Sequence, residues 1–300
     1  MAFPLVVGVD GSESSLRAVD WAVDEAARHG LPLHLVHASL WERYERARPA
    51  LSTARPAPEV LAQHILASSA ERAALRDPEV KVAGEVLSED AASALLRAGA
   101  EAFGVVTGAR GRGELTGLLL GSVSLTVAAR ASCPVVVVRG AERNVQATMG
   151  RVVVGVGGSS GDTAALGFAV REAEVRGCDL SVVRAWRSPV AERGKPSSPA
   201  SGREDRPDPD DAARMPHQQA SADLDEALRG ALREHPGVTI HRHLLEGPAH
   251  RVLVEASDAA DLIVVGAQRR SGHFGLQLGR VAHALLHHAN CPVAVVPQAG

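Results

Sequence analysis

Glycine stands at Gly108, Gly111 and Gly121, with a serine at Ser122, in the segment GARGRGELTGLLLGS that directly follows the apolar run FGVVT. The spacing, G-x2-G-x9-G-S, suits phosphate binding. Glycine lacks a Cβ, so it lets an anion approach backbone N–H groups closely and tolerates positive φ. The helix expected after Gly121 adds aligned N–H dipoles at its N-terminus, and Ser122 adds a hydroxyl. Arg110 and Arg112 lie inside the loop, beside Ala109 and Gly113. A guanidinium is a planar fork that fits phosphate oxygens, and solvent-facing loop charge is the alternative reading of both arginines.

The other parts of nucleotide-hydrolysing machinery are missing. There is no GxxxxGK[ST], neither Lys81 nor Lys195 is near the loop, and no GxGxxG opens the first helix. Fast phosphoryl transfer needs charge neutralisation and a positioned nucleophile. No catalytic residue is assigned, and binding is favoured over turnover, with a slow ATPase as the competing activity.

The elements that must position this loop come from alternating apolar runs and amphipathic segments. Strands are expected at residues 5–10, 33–38, 80–87, 103–108 and 134–139, and helices at 14–28, 58–75, 90–100 and 121–130. Runs such as VVVV are apolar on consecutive positions, as in strands buried on both faces. Alternating strands and helices predict right-handed crossovers and a parallel, doubly wound α/β sheet.

The chain is also a duplication. The stretch from Leu5 to Ala38 matches that from Val152 to Trp186, with Gly8 and Gly155 separated by 147 residues. Later matches, Gly108 with Gly266 and Cys133-Pro134 with Cys291-Pro292, are separated by 158. The 11 extra residues fall in a Pro-, Ser- and charge-rich stretch, expected to be a surface loop from Pro189 to Asp211 within a broader insertion near 187–217. Two domains follow, 1–140 and 150–298, joined at Arg139 to Met149.

A first strand leading to Asp10, the glycine loop after the fourth strand, the closing Cys-Pro-VVVV strand and the duplication together resemble the universal stress protein family. The resemblance covers both halves. It implies two tandem five-stranded parallel sheets of order 3-2-1-4-5, related by a pseudo-twofold and packed through PVVVV and PVAVV. Strands 1 and 4 are then neighbours, and ligands belong over their carboxyl ends. In members that bind ATP, the acid matching Asp10 bonds the ribose and the backbone near Ala38 contacts adenine. The Gly8 turn packs nearby, and Gly108, Gly111, Gly121, Ser122 and Val123 match the phosphate-holding residues. The implied ligand is ATP, or AMP or ADP, with Mg²⁺ as a candidate companion. The implied role is a cytoplasmic regulator of stress or dormancy responses that is not an enzyme, works through a regulatory protein partner still to be identified, and pairs as a homodimer of tandem chains. A scaffold of the same fold that binds no nucleotide is the alternative.

The second half departs from the pattern. Asp10 becomes Gly157, Gly111 becomes Arg269 and Ser122 becomes Arg280, while Gly266 and Gly279 persist. Its candidate residues are Gly155, Ala185, Gly266, Arg269, Gly279, Arg280 and Val281. Loss of the acid argues against nucleotide, whereas Arg269, Arg270 and Arg280 could clamp phosphates from the side. A degenerate domain kept for dimer geometry is the competing account.

Composition narrows the classes further. A formal charge of -3, from 35 acidic and 32 basic residues, leaves no footprint for nucleic acid or an anionic membrane. Three cysteines and no CxxC fit a reducing cytosol. The N-terminal MAFPLVVGVDGS reads as a strand and not as a signal peptide. His283, His287 and His288 sit at helical spacing, but a polar helix face explains them better than a metal, and no metal ligand is assigned. Cys133 and Cys291, each before a proline, read as buried small residues, and Trp186 as packing or as a stacking surface in the second site.

Overall fold

The computed structural model describes residues 3–39, 58–111, 120–157, 163–187, 209–267 and 278–298. The first half runs β1 (Leu5–Gly8), α1 (Glu13–His29), β2 (Leu33–Ala38), α2 (Pro58–Arg76), β3 (Val82–Leu87), α3 (Ala91–Gly99), β4 (Gly104–Gly108), α4 (Ser122–Arg130) and β5 (Val135–Val138). A short helix α5 (Glu142–Val145) leads into the second half. That half runs β6 (Arg151–Val156), α6 (Thr163–Arg176), β7 (Asp179–Trp186), α7 (Pro209–Glu234), β8 (Ile240–Glu246), α8 (Ala249–Ala256), β9 (Leu262–Ala267), α9 (Arg280–His288) and β10 (Val293–Pro297). Each expected element of the first half appears with its ends moved by at most two residues.

The strand order is β3-β2-β1-β4-β5-β10-β9-β6-β7-β8, so each half has the order 3-2-1-4-5. The two sheets are in fact one. β5 and β10 pair antiparallel, Val136 opposite Ala294, and fuse the halves into a ten-stranded sheet. Alternation along β5 sends Val136 and Val138 to one face and Val135 and Val137 to the other, and each face's core runs through both halves. Both faces are covered by helices, which is why central strands such as β5, VVVV, are apolar on consecutive positions.

The loop expected from Pro189 to Asp211 needs correction at its end. Helix α7 starts at Pro209, so residues 209–217 of the insertion are helical; residues 188–208 lie outside those described. The polar composition hid a helix whose buried stripe, Ala220, Leu224 and Leu228, recurs every four residues only further along.

On one face α1 and α6 meet over the seam between the halves. Glu25 and Glu172, and His29 and Arg176, are separated by the same 147 residues that relate Gly8 to Gly155, so the pseudo-twofold brings equivalent positions together. Arg176 Nη2 donates to Glu25 Oε2 at 2.6 Å, and its Nε to Glu172 Oε2 at 3.2 Å. His29 Nε2 lies 3.1 Å from Glu172 Oε1 and 3.7 Å from Glu25 Oε1. The donor atoms of Glu25, His29 and Glu172 fall within 4.8 Å of one another, but Arg176 already supplies a cation to both carboxylates, and the cluster reads as an ion network.

This network is proton-sensitive. Burial opposes the charged imidazole, but the hydrogen bond to Glu172 and the contact with Glu25 outweigh it and push His29 up to about 9. Burial and the charge of Glu25 push Glu172 up to about 7. Burial also works against the charge on Glu25, but Arg176 prevails and holds it well below the usual carboxylate range. Both His29 and Glu172 hold protons more tightly in the folded chain than in the unfolded one. Their contribution is therefore greatest near pH 5 and is lost as pH rises, Glu172's through about 7 and His29's through about 9. From 6.5 to about 9, the His29 share is on the order of 3 kcal/mol. The expected outcome is a urea midpoint that falls between pH 6 and pH 9.5 in the wild-type chain. In His29→Gln the same decline is much shallower; equal slopes in the two proteins would refute the assignment.

Candidate functional site

The carboxyl ends of β1 and β4, side by side in the sheet, open into a cavity of about 530 Å³. Gly8, Asp10, Ala38, Gly108, Arg110, Gly111, Gly121, Ser122 and Val123, all named from the sequence, line it. Ala109 lines a neighbouring cavity instead, and Arg112 and Gly113 lie outside the described residues.

Asp10 sits where the chain leaves β1 and turns, through Gly11 at φ 76°, into α1. Its Oδ1 accepts from Ser12 N at 2.9 Å and Ser12 Oγ at 2.6 Å, an Asx-type turn that fixes the carboxylate. Ser12 in turn caps α1, its Oγ accepting from Ser15 N at 3.2 Å. Gly111 stands directly opposite. A Cβ on Gly111 would come within 2.9 Å of Asp10 Oδ2, so a side chain there would press on the carboxylate. Gly111→Ala should therefore displace the carboxylate and weaken ligand binding by roughly tenfold while leaving stability nearly unchanged, since the position is exposed. Paired calorimetric titration and thermal melting check it; equal affinity in the two proteins would show that the close approach is irrelevant to binding.

Three of the glycines that line the cavity also meet demands of packing or loop closure. Gly121 N–H donates to Ala109 O at 2.8 Å and closes the loop, so it is not offered to a phosphate. Gly108 is glycine because a Cβ would meet the Ser14 backbone and Oγ at 2.5 to 2.6 Å, and Gly8 because it would come within 2.9 Å of Leu95. These glycines let helices pack on the strand ends. The donors that remain are those of the first turn of α4, Ser122, Val123 and Ser124, for Gly121 caps this helix with no side-chain hydrogen bond.

Sequence reasoning missed several polar groups here. Thr107 on β4 lines the cavity, is buried, and its Oγ1 has no hydrogen-bond partner among the described residues. Ser124 Oγ donates to Gly108 O at 2.7 Å and ties α4 to the end of β4. His37 Nδ1 lies 2.7 Å from Val9 O, and because a carbonyl only accepts, this nitrogen carries the proton. The bond pins the end of β2 beside the residue that precedes Asp10. Alternation within β2, which reads LHLVHA, marks His37 as a departure from the apolar pattern, and that was the available signal. The rest of the wall is apolar, with Val9, Val36, Leu95 and Leu120.

The second half keeps the cavity and loses its polar recognition. Gly155, Ala185, Gly266, Gly279, Arg280 and Val281 line a space of about 530 Å³, and no carboxylate is among its described lining residues. Gly157 lines it where Asp10 would stand, and Arg269, with Arg270, lies outside the described residues. Gly155, like Gly8, makes room for a leucine, here Leu253 at 2.6 Å from the Cβ position. The Gln298 side chain occupies the place a Cβ on Gly266 would need. Arg184 is tied to Asp223 at 3.2 Å. Trp186 stands edge-on to His217 and is not among the described lining residues.

His283 and His287 stack at 4.5 Å on α9, and among the described residues they join no group of donor atoms close enough for a metal. Cys133 and Cys291 are buried free thiols whose pKa burial raises, to about 11 for Cys133. Among the described residues no helix is long and apolar enough to cross a membrane.

Comparison with known proteins agrees with this architecture. The model of the universal stress protein family matches residues 1–139 and again 149–297. A universal stress protein of Mycobacterium tuberculosis is 33% identical over 305 residues, covering 98% of this chain and 97% of the relative. One of Mycolicibacterium smegmatis is 32% identical over 302 residues, covering 98% and 97%. The crystal structure of a universal stress protein from Archaeoglobus fulgidus superposes with a TM-score of 0.64 at 19% identity, covering 98% of both chains.

Proposed function

The chain belongs to the universal stress protein family, and on that premise we propose that it is a cytoplasmic adenine-nucleotide receptor acting in a stress response. Its one nucleotide cleft lies in the first half. The observation that carries this reading is the pairing, in one cavity, of a fixed carboxylate at Asp10 with the uncapped N-terminus of α4. A ribose hydroxyl is the natural donor to a carboxylate, and a phosphate the natural acceptor for helix N–H groups. The apolar wall of Val9, Val36 and Leu95 suits a base, and the unpartnered Thr107 Oγ1 gives the buried end of the cavity a polar group that a ligand would satisfy.

ATP fits this arrangement, and so do AMP and ADP. Asp10 is the one carboxylate among the described lining residues, so a Mg²⁺ ion accompanying ATP would rest mainly on phosphate oxygens. Binding without rapid turnover follows from the same set: Asp10 is engaged by Ser12, and no histidine or lysine lines the described cavity to act as a base. The second half is a degenerate partner that completes the sheet. Native mass spectrometry of the purified protein tests the reading. A bound mass matching AMP, ADP or ATP is expected; no bound nucleotide, together with no heat on titration with ATP, would refute it.

A further inference from the structure

A second cavity, of about 430 Å³, lies beside the nucleotide cleft at the seam between the halves. Three guanidiniums, Arg17, Arg110 and Arg139, line it against one carboxylate, Glu13. Arg17 is partly neutralised by Glu142 at 3.4 Å, and its Nη2 donates to Gly140 O at 3.2 Å. Among the described residues Arg110 and Arg139 form no ion pair. Arg139 Nη1 instead donates to Leu285 and Leu286 carbonyls in the last turn of α9, which anchors it to the second half. The Nε atoms of Arg17 and Arg139 are both buried and have no hydrogen-bond partner among the described residues.

A buried donor without an acceptor is costly, and a cation without a counter-ion more so. Burial first, and then repulsion by Arg110, disfavour the charged form of Arg139. An anion in the cavity would relieve the orphaned donors and the repulsion together. We propose that this seam cavity is an anion site for phosphate groups, held by Arg17, Arg110 and Arg139. Arg110 lines both cavities, and Leu286 of the second half closes the far wall. Occupancy would therefore join the nucleotide cleft of one half to α9 of the other. The shared chemistry is a phosphate oxyanion, whether free or as the distal phosphoryl group of a nucleotide. The site stands on its own arginines and does not depend on nucleotide binding at Asp10.

Calorimetric titration with sodium tripolyphosphate tests it on the full chain, alone and saturated with AMP. One tripolyphosphate per AMP-saturated chain is expected, weakened at least tenfold in both Arg139→Gln and Arg17→Gln. The second variant covers the case in which loss of the α9 contact unfolds the first. AMP affinity should change less than twofold in either variant. Asp10→Ala should do the reverse, losing AMP and keeping tripolyphosphate, which separates failure of this site from failure of the nucleotide cleft. Saturation with ATP distinguishes the sources: it blocks tripolyphosphate if the site takes the nucleotide's distal phosphates, and leaves binding intact if it takes a free anion. No binding to the wild-type chain, or affinity unchanged in both arginine variants, would overturn the proposal.

Discussion

Arg176→Ala is expected to destabilise the folded chain by about 3–5 kcal/mol, the cost of removing one partner from a buried ion network. Arg176 is 4% exposed and is the cation that Glu25 and Glu172 share, their side chains being 3% and 1% exposed. Without it two buried carboxylates face each other across the seam, with only His29 between them and Arg28 on Glu25 to neutralise them. His29 cannot replace it, because its single nearby nitrogen already serves both Oε1 atoms while Arg176 serves both Oε2 atoms. The guanidinium also lies 5.6 Å from the Trp21 ring, so Trp21 fluorescence reports the same event. Urea unfolding followed at Trp21 gives the number. A loss below about 1 kcal/mol would mean that the network contributes little beyond packing.

Asp10→Ala is expected to weaken adenine-nucleotide binding by roughly 10- to 100-fold, the equivalent of a charged hydrogen bond worth about 1.5–3 kcal/mol. The substitution also removes the acceptor for Ser12 N and Ser12 Oγ, so the start of α1 would loosen. Asp10→Asn separates the two effects, because its amide oxygen can keep the turn while the charge is lost. Intermediate affinity with an unchanged melting temperature is expected of Asn, and the full loss of Ala. Calorimetry on the three proteins checks this; equal affinities would remove Asp10 from the site.

Much of the architecture was legible because it is written in local pattern and in repetition. Consecutive valines, turn glycines and the 147-residue repeat led to the alternating elements and the two halves. The strand order came from the family resemblance. What stayed hidden depends on residues far apart in the chain. Glu25 and Glu172 lie 147 residues apart and come together only when α1 and α6 meet at the seam. Gly140 read as linker, yet its φ is 95° and the Asn290 carbonyl occupies the place its Cβ would need, so the junction of the halves requires glycine there. Gly8 and Gly155 line the two cavities and also make room for Leu95 and Leu253, a packing demand that sequence does not show.

The contrast between Gly111 and Arg269 also gains a physical account. A Cβ on Gly111 would lie 2.9 Å from Asp10 Oδ2, so a side chain there would have to push the carboxylate aside. The second half has Gly157 in place of the acid and Arg269 in place of the glycine, so both members of the pair that meets in the first half are changed.

Photolabelling with 8-azido-ATP, followed by peptide mapping, tests most directly whether the chain has a single cleft in its first half. The account predicts saturable labelling at one site per chain, confined to peptides that carry Val9, Val36, Leu95 or Val123 and competed by ATP. Labelling shared equally with peptides that carry Gly155, Leu253 or Val281, or no saturable labelling at all, would contradict it.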